Sequence, residues 1–202
     1  IGAYGHDDRV CAYPGVEALF EVEAPEHTTI MVLADKEEIG SEGTTGMQSA
    51  IFLDLLNEIA SSLGASCAAM RANSMCLSAD VNAAYDPNFP EVCEKLNSAY
   101  VSCGAGITKF TGARGKSGSN DADAEFVAYI RKIFDENGVI WQTGELGKVD
   151  EGGGGTVAKY IAAMNIDTID VGVAVISMHA PYEVVSKADV YETYLAFRAF
   201  LK

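Results

Sequence analysis

Short apolar runs with the pattern of buried strands alternate along this chain with longer stretches that have the periodicity of amphipathic helices. Such alternation is typical of a sheet that is covered by helices on both faces. We therefore predict an α/β fold with three layers, in which a mostly parallel, twisted sheet lies between two layers of helices. The predicted strands are 28–34, 74–78, 106–110, 139–143 and 168–176.

The predicted helices are marked by apolar residues that recur every three or four positions. In the clearest of them the repeat begins at Met47, returns at every fourth position to Leu63, and ends at Gly64. The 202 residues, of which 49% are apolar, are enough for one packed domain, so we predict a single domain over 1–202. The remaining helices are predicted at 9–20, 66–73, 91–99, from Asn120 or Asp121 to Gly138, 156–164 and 187–201.

The chain is strongly acidic, with 29 Asp and Glu against 14 Lys and Arg and a net charge of −15. Such a charge repels phosphate backbones and anionic lipid, so we expect neither a nucleic acid nor a membrane as a partner. The five cysteines are scattered and include no Cys-x-x-Cys pair. This cysteine usage is typical of a reduced compartment, and we expect a cytoplasmic protein.

Four groups of candidate metal ligands follow or interrupt the apolar stretches. Three of the groups come just after predicted strands, and residues beyond the carboxyl ends of strands converge in open α/β sheets. A histidine together with carboxylates favours zinc, cobalt or manganese over magnesium or calcium. Each acidic group alone is better explained as a solvated charge or as a helix-start charge; as a set they predict a site for two divalent metals. The groups are Asp7-Asp8, Glu37-Glu38, Asp80 and His179.

The adjacent acids Glu37 and Glu38 can serve two different roles. Neighbouring residues that leave an extended segment point to opposite sides, so one carboxylate can bind a metal while the other faces a water molecule. A carboxylate that accepts a proton from such a water is a general base for hydrolysis. The alternative is a solvated charge pair that opens a loop. The following segment 40–46, which is rich in small residues, favours the metal site because it lets the backbone pack closely.

The order of these motifs carries a family resemblance over nearly the whole chain. The segments are Gly-His-Asp-Asp-Arg at 5–9, Asp-Lys-Glu-Glu-Ile-Gly-Ser at 35–41, Ser-Ala-Asp at 78–80 and Ser-Met-His-Ala-Pro at 177–181. As a set they resemble the aspartyl aminopeptidase family of dizinc exopeptidases. The resemblance implies a metal-dependent aminopeptidase that removes N-terminal residues from peptides by means of a metal-activated water.

The resemblance also implies a role for each candidate residue. Asp7 would bridge two divalent metals, Glu38 and His179 would bind one of them, Asp80 would bind the other, and Glu37 would act as the general base. Family members have a further histidine ligand upstream and an inserted dimerisation domain, and they commonly form large homo-oligomers. Neither feature has a counterpart here, so we expect a C-terminal catalytic portion. The alternative is a non-catalytic fragment or assembly module with an incomplete metal site.

A glycine-rich segment at 152–156 is a candidate for substrate binding. Backbone N–H groups in such a segment can hold an anion where a helix begins. The resemblance implies that Gly153 and Gly154 line the active site, while a flexible surface loop explains the composition equally well.

A small basic cluster stands out in this acidic chain. It consists of Lys109, Arg114 and Lys116. The cluster could bind the carboxylate of an acidic N-terminal residue, which favours Lys109 as a substrate-binding residue, or it could only solvate a loop. A dimetal phosphoesterase would share the ligand chemistry, but no phosphate-binding motif supports that function.

Overall fold

The computed structural model describes residues Ile1 to Lys202 and has the predicted α/β architecture. Ten strands form two four-stranded sheets and one hairpin, and six α-helices surround them. None of the helices is long and apolar enough to cross a membrane. The strands are β1 (Gly2–Ala3), β2 (Met75–Ser78), β3 (Asn82–Ala83), β4 (Ala105–Thr108), β5 (Phe110–Ala113), β6 (Ser117–Asp121), β7 (Trp141–Thr143), β8 (Asp167–Gly172), β9 (Ala174–Ile176) and β10 (Glu183–Val185). The helices are α1 (His6–Glu21), α2 (Ile51–Ser62), α3 (Cys67–Ala72), α4 (Ala124–Glu136), α5 (Ala158–Ala162) and α6 (Lys187–Leu201).

The first sheet has the strand order β2-β8-β4-β7. Two of its three pairings are parallel, β2 with β8 and β4 with β7, while β4 and β8 are antiparallel. The second sheet has the order β1-β10-β9-β3, and in it only β3 and β9 are parallel. The hairpin of β5 and β6 stands apart from both sheets. The sequence predicts the first sheet but neither the second sheet nor the hairpin.

The main hydrophobic core lies between one face of the first sheet and helices α1, α4 and α6. Helix α4 buries Phe126, Ile130 and Phe134 in this core, and its N-cap Asp123 accepts a hydrogen bond from the Phe126 N–H at 2.7 Å. Full burial of one such side chain stabilises the fold by about 1.5–3 kcal/mol. Leu77 of β2 packs against the same core.

A second hydrophobic cluster covers the opposite face of the sheet. Cys76, next to Leu77 in β2, packs against this cluster, since successive residues of a strand point to opposite faces. The cluster is formed by Leu56 of α2 and Ile161 of α5, together with Ile166. Helices therefore lie on both faces, as the alternation of strands and helices predicts.

Strands β2 and β8 continue side by side into the second sheet as β3 and β9. The predicted strand 168–176 is therefore interrupted between β8 and β9. A Cβ atom at Gly172 would lie 1.8 Å from the Asp80 carbonyl oxygen, so only glycine allows the two segments to approach so closely here. Asp80 therefore lies beside the junction of β8 and β9.

Two predicted elements are wrong. Segment 28–34 forms no strand: its backbone pairs with no other strand, and Ile30, Val32 and Leu33 are 42%, 41% and 63% exposed. The apolar pattern there indicates a strand, but the described chain offers no neighbour for it. The predicted helix at 91–99 is only a short 3-10 turn at Pro90–Val92. Val92 and Leu96, which would belong to its apolar face, are 55% and 93% exposed, so no packing supports a longer helix.

Candidate metal centre

Four separate segments of the chain meet around one cavity of about 400 Å³. Asp7 follows β1, Asp80 lies between β2 and β3, and His179 follows β9, so three strands of the second sheet position these side chains. Glu37 and Glu38 come from the 3-10 turn Glu37–Ile39. All five predicted metal-site residues line this cavity.

One cluster of ligand atoms consists of two carboxylates and an imidazole. His179 Nε2 lies 3.0 Å from Asp7 Oδ2 and 3.3 Å from Glu38 Oε2. Ligand atoms of the three residues lie within 4.8 Å of one another. This combination of oxygen and nitrogen donors suits zinc.

A second cluster consists of carboxylates alone. Ligand atoms of Asp7, Asp8 and Asp80 also lie within 4.8 Å of one another. Asp7 belongs to both clusters and is therefore placed to bridge two cations. Asp8 Oδ1 is buried and accepts no hydrogen bond from the protein, so this oxygen is available to a cation.

The sequence places Asp8 in a candidate ligand group with Asp7, but the family resemblance assigns a metal-binding role to Asp7 alone. An acid beside Arg9 at the start of a helix has an ordinary explanation in the helix dipole. In the structure Asp7 and Asp8 have non-helical backbone conformations, so regular helix begins only after them. Their backbone path, which the sequence does not show, brings Asp8 to the site.

The electrostatics of the site fit a bound cation. Burial, reinforced by the Glu38 charge, raises the pKa of Asp7 to about 7. Burial raises the pKa of Asp8 to about 8, and burial followed by the Asp8 charge raises the pKa of Asp80 well above its usual range. Crowded buried carboxylates resist ionisation, and a divalent cation between them reverses that effect.

Glu37 lies in the same cavity without belonging to either ligand cluster. Burial and the Glu38 charge raise the pKa of Glu37, while the charges of His179 and Lys159 oppose this rise. Lys159, from α5, also lines the cavity. This lysine could not be selected from the sequence, because a single basic residue on a short helix is ordinary.

Contacts between its two ends hold together the loop that carries the two glutamates. Lys36 Nζ pairs with Asp35 Oδ2 at 3.2 Å, and the Thr45 hydroxyl donates to the same oxygen at 2.8 Å. A Cβ atom at Gly46 would lie 2.1 Å from the Ser41 carbonyl oxygen. The small residues of segment 40–46 thus permit the close packing that the sequence predicts.

The glycine-rich segment is packed against the hairpin of β5 and β6. Gly112 N–H donates to the Gly154 carbonyl oxygen at 2.8 Å, and a Cβ atom at Gly153 would lie 2.1 Å from the Gly112 carbonyl oxygen. Gly154 lines the metal cavity, whereas Gly153 does not line it and packs against Gly112 of the hairpin instead. The segment is thus held against the wall of the site.

Lys109 is not brought to the metal cavity. It forms an ion pair with Asp121 and lines a neighbouring cavity of about 520 Å³. Leu146 borders both cavities. The predicted contact of Lys109 with a substrate stays a prediction.

Residues 1–201 match the family model described as aminopeptidase I zinc metalloprotease (M18). The chain belongs to this family. The resemblance predicted from the sequence is thereby confirmed, and the family description agrees with zinc as the metal.

Bacterial members of the family are close relatives of this chain. It is 50% identical over 205 residues to the probable M18 family aminopeptidase 1 of Clostridium acetobutylicum, covering 100% of this chain and 44% of that protein. The corresponding protein of Thermotoga maritima is 45% identical over 207 residues, covering 100% of this chain and 46% of that protein. The chain thus spans a little under half the length of these relatives.

Solved structures of the family share the fold. The TM-score is 0.92 to aminopeptidase I from Clostridium acetobutylicum, and 0.95 to the M18 family aminopeptidase from Thermotoga maritima. These matches cover 100% of this chain, with 50% and 45% identity, and 44% and 46% of the two solved chains. The S. cerevisiae mApe1 dodecamer gives 0.81 at 28% identity, covering 98% of this chain and 45% of that chain.

Proposed function

We propose that the protein containing this chain is a metal-dependent aminopeptidase that removes N-terminal residues from peptides, and that 1–202 is its catalytic portion. The observation that carries this proposal is the pair of ligand clusters that share Asp7. Asp7 would bridge two zinc ions, with Glu38 and His179 on one ion and Asp80 on the other. A histidine from an upstream segment would complete the second site, beside Asp8.

Each remaining group in the cavity has a part in the proposed hydrolysis. When bound, two divalent cations supply Lewis-acid chemistry that lowers the pKa of a water molecule and polarises the scissile carbonyl group. Glu37 accepts a proton from the water and returns it to the leaving amine. Its raised pKa brings the carboxylate closer to the pH at which it must both accept and release a proton.

The walls of the cavity suit a peptide terminus. Gly154 presents backbone to the cavity, and Lys159 adds a positive charge. Lys109, which is paired with Asp121 in the neighbouring cavity, would contact only a part of the peptide that extends beyond the metals.

We further propose that the whole protein is a homo-oligomer. The S. cerevisiae mApe1 structure is a dodecamer, and its fold is shared with this chain. Segment 28–34 and the exposed side chains Ile51, Leu55 and Leu63 offer apolar surface that the rest of the protein or a further copy could cover.

We also propose a cytoplasmic location for the protein. All five cysteines are free, which supports this location.

The catalytic role of Glu37 can be tested by Glu37→Gln in the whole natural protein. We expect kcat for an aminoacyl reporter to fall by about 10²- to 10⁴-fold, because a positioned general base contributes that much. The zinc content should not change, since Glu37 belongs to neither ligand cluster. Glu42→Gln is the matched control, because Glu42 is an exposed acid of the same loop outside the cavity.

Removal of zinc by a chelator should abolish hydrolysis, and returning zinc should restore it. Activity that survives both the chelator and Glu37→Gln would contradict the mechanism. Purified protein that holds no metal and hydrolyses no aminoacyl reporter would favour the assembly module. Hydrolysis of a phosphate ester in place of the aminoacyl reporter would favour a phosphoesterase.

A further inference from the structure

Glu183 is a buried carboxylate that contacts the backbone of two proposed metal ligands. It is only 2% exposed. Its Oε2 accepts a hydrogen bond from the Asp7 N–H at 3.1 Å, and its Oε1 accepts one from the His179 N–H at 2.8 Å. One side chain thus joins the first segment of the site to the last.

The sheet topology explains how one residue reaches both ligands. In the second sheet β10 lies between β1 and β9. Strand β1 leads into Asp7 and strand β9 leads into His179, while Glu183 is the first residue of β10 and pairs with Ala3. Glu183 therefore stands between the two loops that carry these ligands.

The chemistry of a buried carboxylate makes these contacts strong. Burial of an ionised group is costly unless its oxygens are hydrogen-bonded. Glu183 forms no ion pair with a lysine or arginine, and each of its oxygens accepts a backbone N–H instead. Hydrogen bonds to a carboxylate are shorter and stronger than those between neutral groups.

The loop after β9 needs such support. Ser177 and His179 have φ angles of 60° and 65°, in the left-handed region that non-glycine residues avoid. Backbone in this region is strained for a residue with a Cβ atom and persists only where its surroundings fix it. The bond from the His179 N–H to Glu183 fixes the residue whose imidazole points to Asp7 and Glu38.

We propose that Glu183 is a positioning residue that sets Asp7 and His179 in the geometry for metal binding before any cation arrives. This inference rests on the proposed function, because it concerns the same metal site. Groups that orient metal ligands from outside the coordination sphere typically contribute a factor of about 10–100 to metal affinity. Glu183 orients them through the main chain.

The test compares Glu183→Gln with Asp189→Asn in the whole natural protein. Asp189 is a matched control, since it is fully buried and its carboxylate accepts the Ser102 and Gly104 N–H groups at 2.7 and 2.9 Å. None of these three control residues lines the metal cavity. Zinc affinity is measured by competition with a chromogenic chelator, and the stability of the metal-free protein is measured by denaturant unfolding.

We expect both variants to lose stability without metal, because each turns one acceptor oxygen into an amide group that faces a backbone N–H. Only Glu183→Gln should lose zinc affinity, by about 10- to 100-fold. Wild-type affinity in Glu183→Gln would overturn the positioning role and leave the proposed function standing. An equal loss in both variants would also overturn it, while a wild-type protein that binds no zinc would overturn both proposals.

If Glu183→Gln does not fold, hydrogen exchange of the metal-free wild-type protein tests the positioning role. The proteolytic peptide that contains Asp7 and the one that contains His179 should show amide protection comparable to that of the peptides around Ser102 and Gly104. Fast exchange at Asp7 and His179 would show that Glu183 does not hold them without metal.

Discussion

Asp170 is a buried carboxylate beside the metal centre that belongs to neither ligand cluster. It lies opposite Ser78 in the pairing of β8 with β2, and the Ser78 hydroxyl donates to its Oδ1 at 2.7 Å. Burial raises the pKa of Asp170 from its ordinary value of 3.8 to about 7, and the hydrogen bond from Ser78 opposes this rise. The folded protein therefore keeps this proton to a higher pH than the unfolded chain does.

A group with a raised folded pKa stabilises the fold fully at low pH and loses that contribution as the pH rises through the folded value. The free energy of unfolding of the metal-free protein should fall between about pH 4 and pH 8. In Asp170→Asn the decrease in the free energy of unfolding over this pH range should be smaller than in wild type by up to about 4 kcal/mol. Denaturant titrations at several pH values, in the presence of a chelator, measure the free energy of unfolding. The exposed Asp54→Asn is the control. Superimposable pH profiles for Asp170→Asn and wild type would contradict the burial effect.

Single residues differ in how far their role can be predicted from the sequence. Asp7, Glu38, Asp80 and His179 could be selected because a few ligand-type residues follow apolar runs. Glu183 could not, since its burial depends on the pairing of β10 with β1 at the other end of the chain. Long-range pairing of short strands leaves no local pattern.

At the scale of elements, the loop that carries Glu37 and Glu38 depends on one close backbone contact. A Cβ atom at Gly46 would lie 2.1 Å from the Ser41 carbonyl oxygen, a distance that backbone atoms cannot relieve without moving the loop. Gly46→Ala should therefore lower zinc affinity and activity by about tenfold or more, because a misplaced ligand weakens a metal site. Zinc competition and reporter hydrolysis measure both effects.

Gly64→Ala separates this effect from a general cost of replacing glycine. Gly64 has a φ of 65° and open space around its Cα, so a side chain there brings backbone strain alone. We expect a loss of about 1–2 kcal/mol in stability with unchanged zinc affinity. Equal effects of the two substitutions on zinc affinity would contradict the steric explanation.

Long elements with a strong apolar pattern could be predicted well, and short ones could not. Helix α6 was predicted at 187–201, and the structure forms it over Lys187–Leu201. Strands of two or three residues, such as Gly2–Ala3 and Asn82–Ala83, are too short to show a period. Gly2–Ala3 forms by pairing with β10 and Asn82–Ala83 by pairing with β9, so both depend on contacts that are remote in sequence.

At the scale of the whole molecule, the main hydrophobic core and the metal centre are built on different sheets. The main core packs on the first sheet, while strands of the second sheet lead into three of the proposed ligands. Alternation of strands and helices predicts the first arrangement, because burial dictates apolar spacing. The convergence of the proposed ligands depends on how strands continue from the first sheet into the second. Only the order of the ligand motifs in the sequence indicates this convergence.

Segment 28–34 shows the limit of the sequence pattern at this scale. Its residues have the composition of a buried strand, yet Leu33 is 63% exposed. An apolar run predicts that a segment is buried, but it does not identify the part of the chain that packs against that segment.

The proposed dimetal site is tested most directly by diffraction from crystals of the zinc-loaded natural protein at wavelengths above and below the zinc absorption edge. We predict two anomalous peaks on either side of Asp7, one within about 2.0–2.2 Å of oxygen and nitrogen atoms of Glu38 and His179, and one at a similar distance from Asp80. A single peak, or peaks remote from Asp7, would contradict a site built around a shared carboxylate.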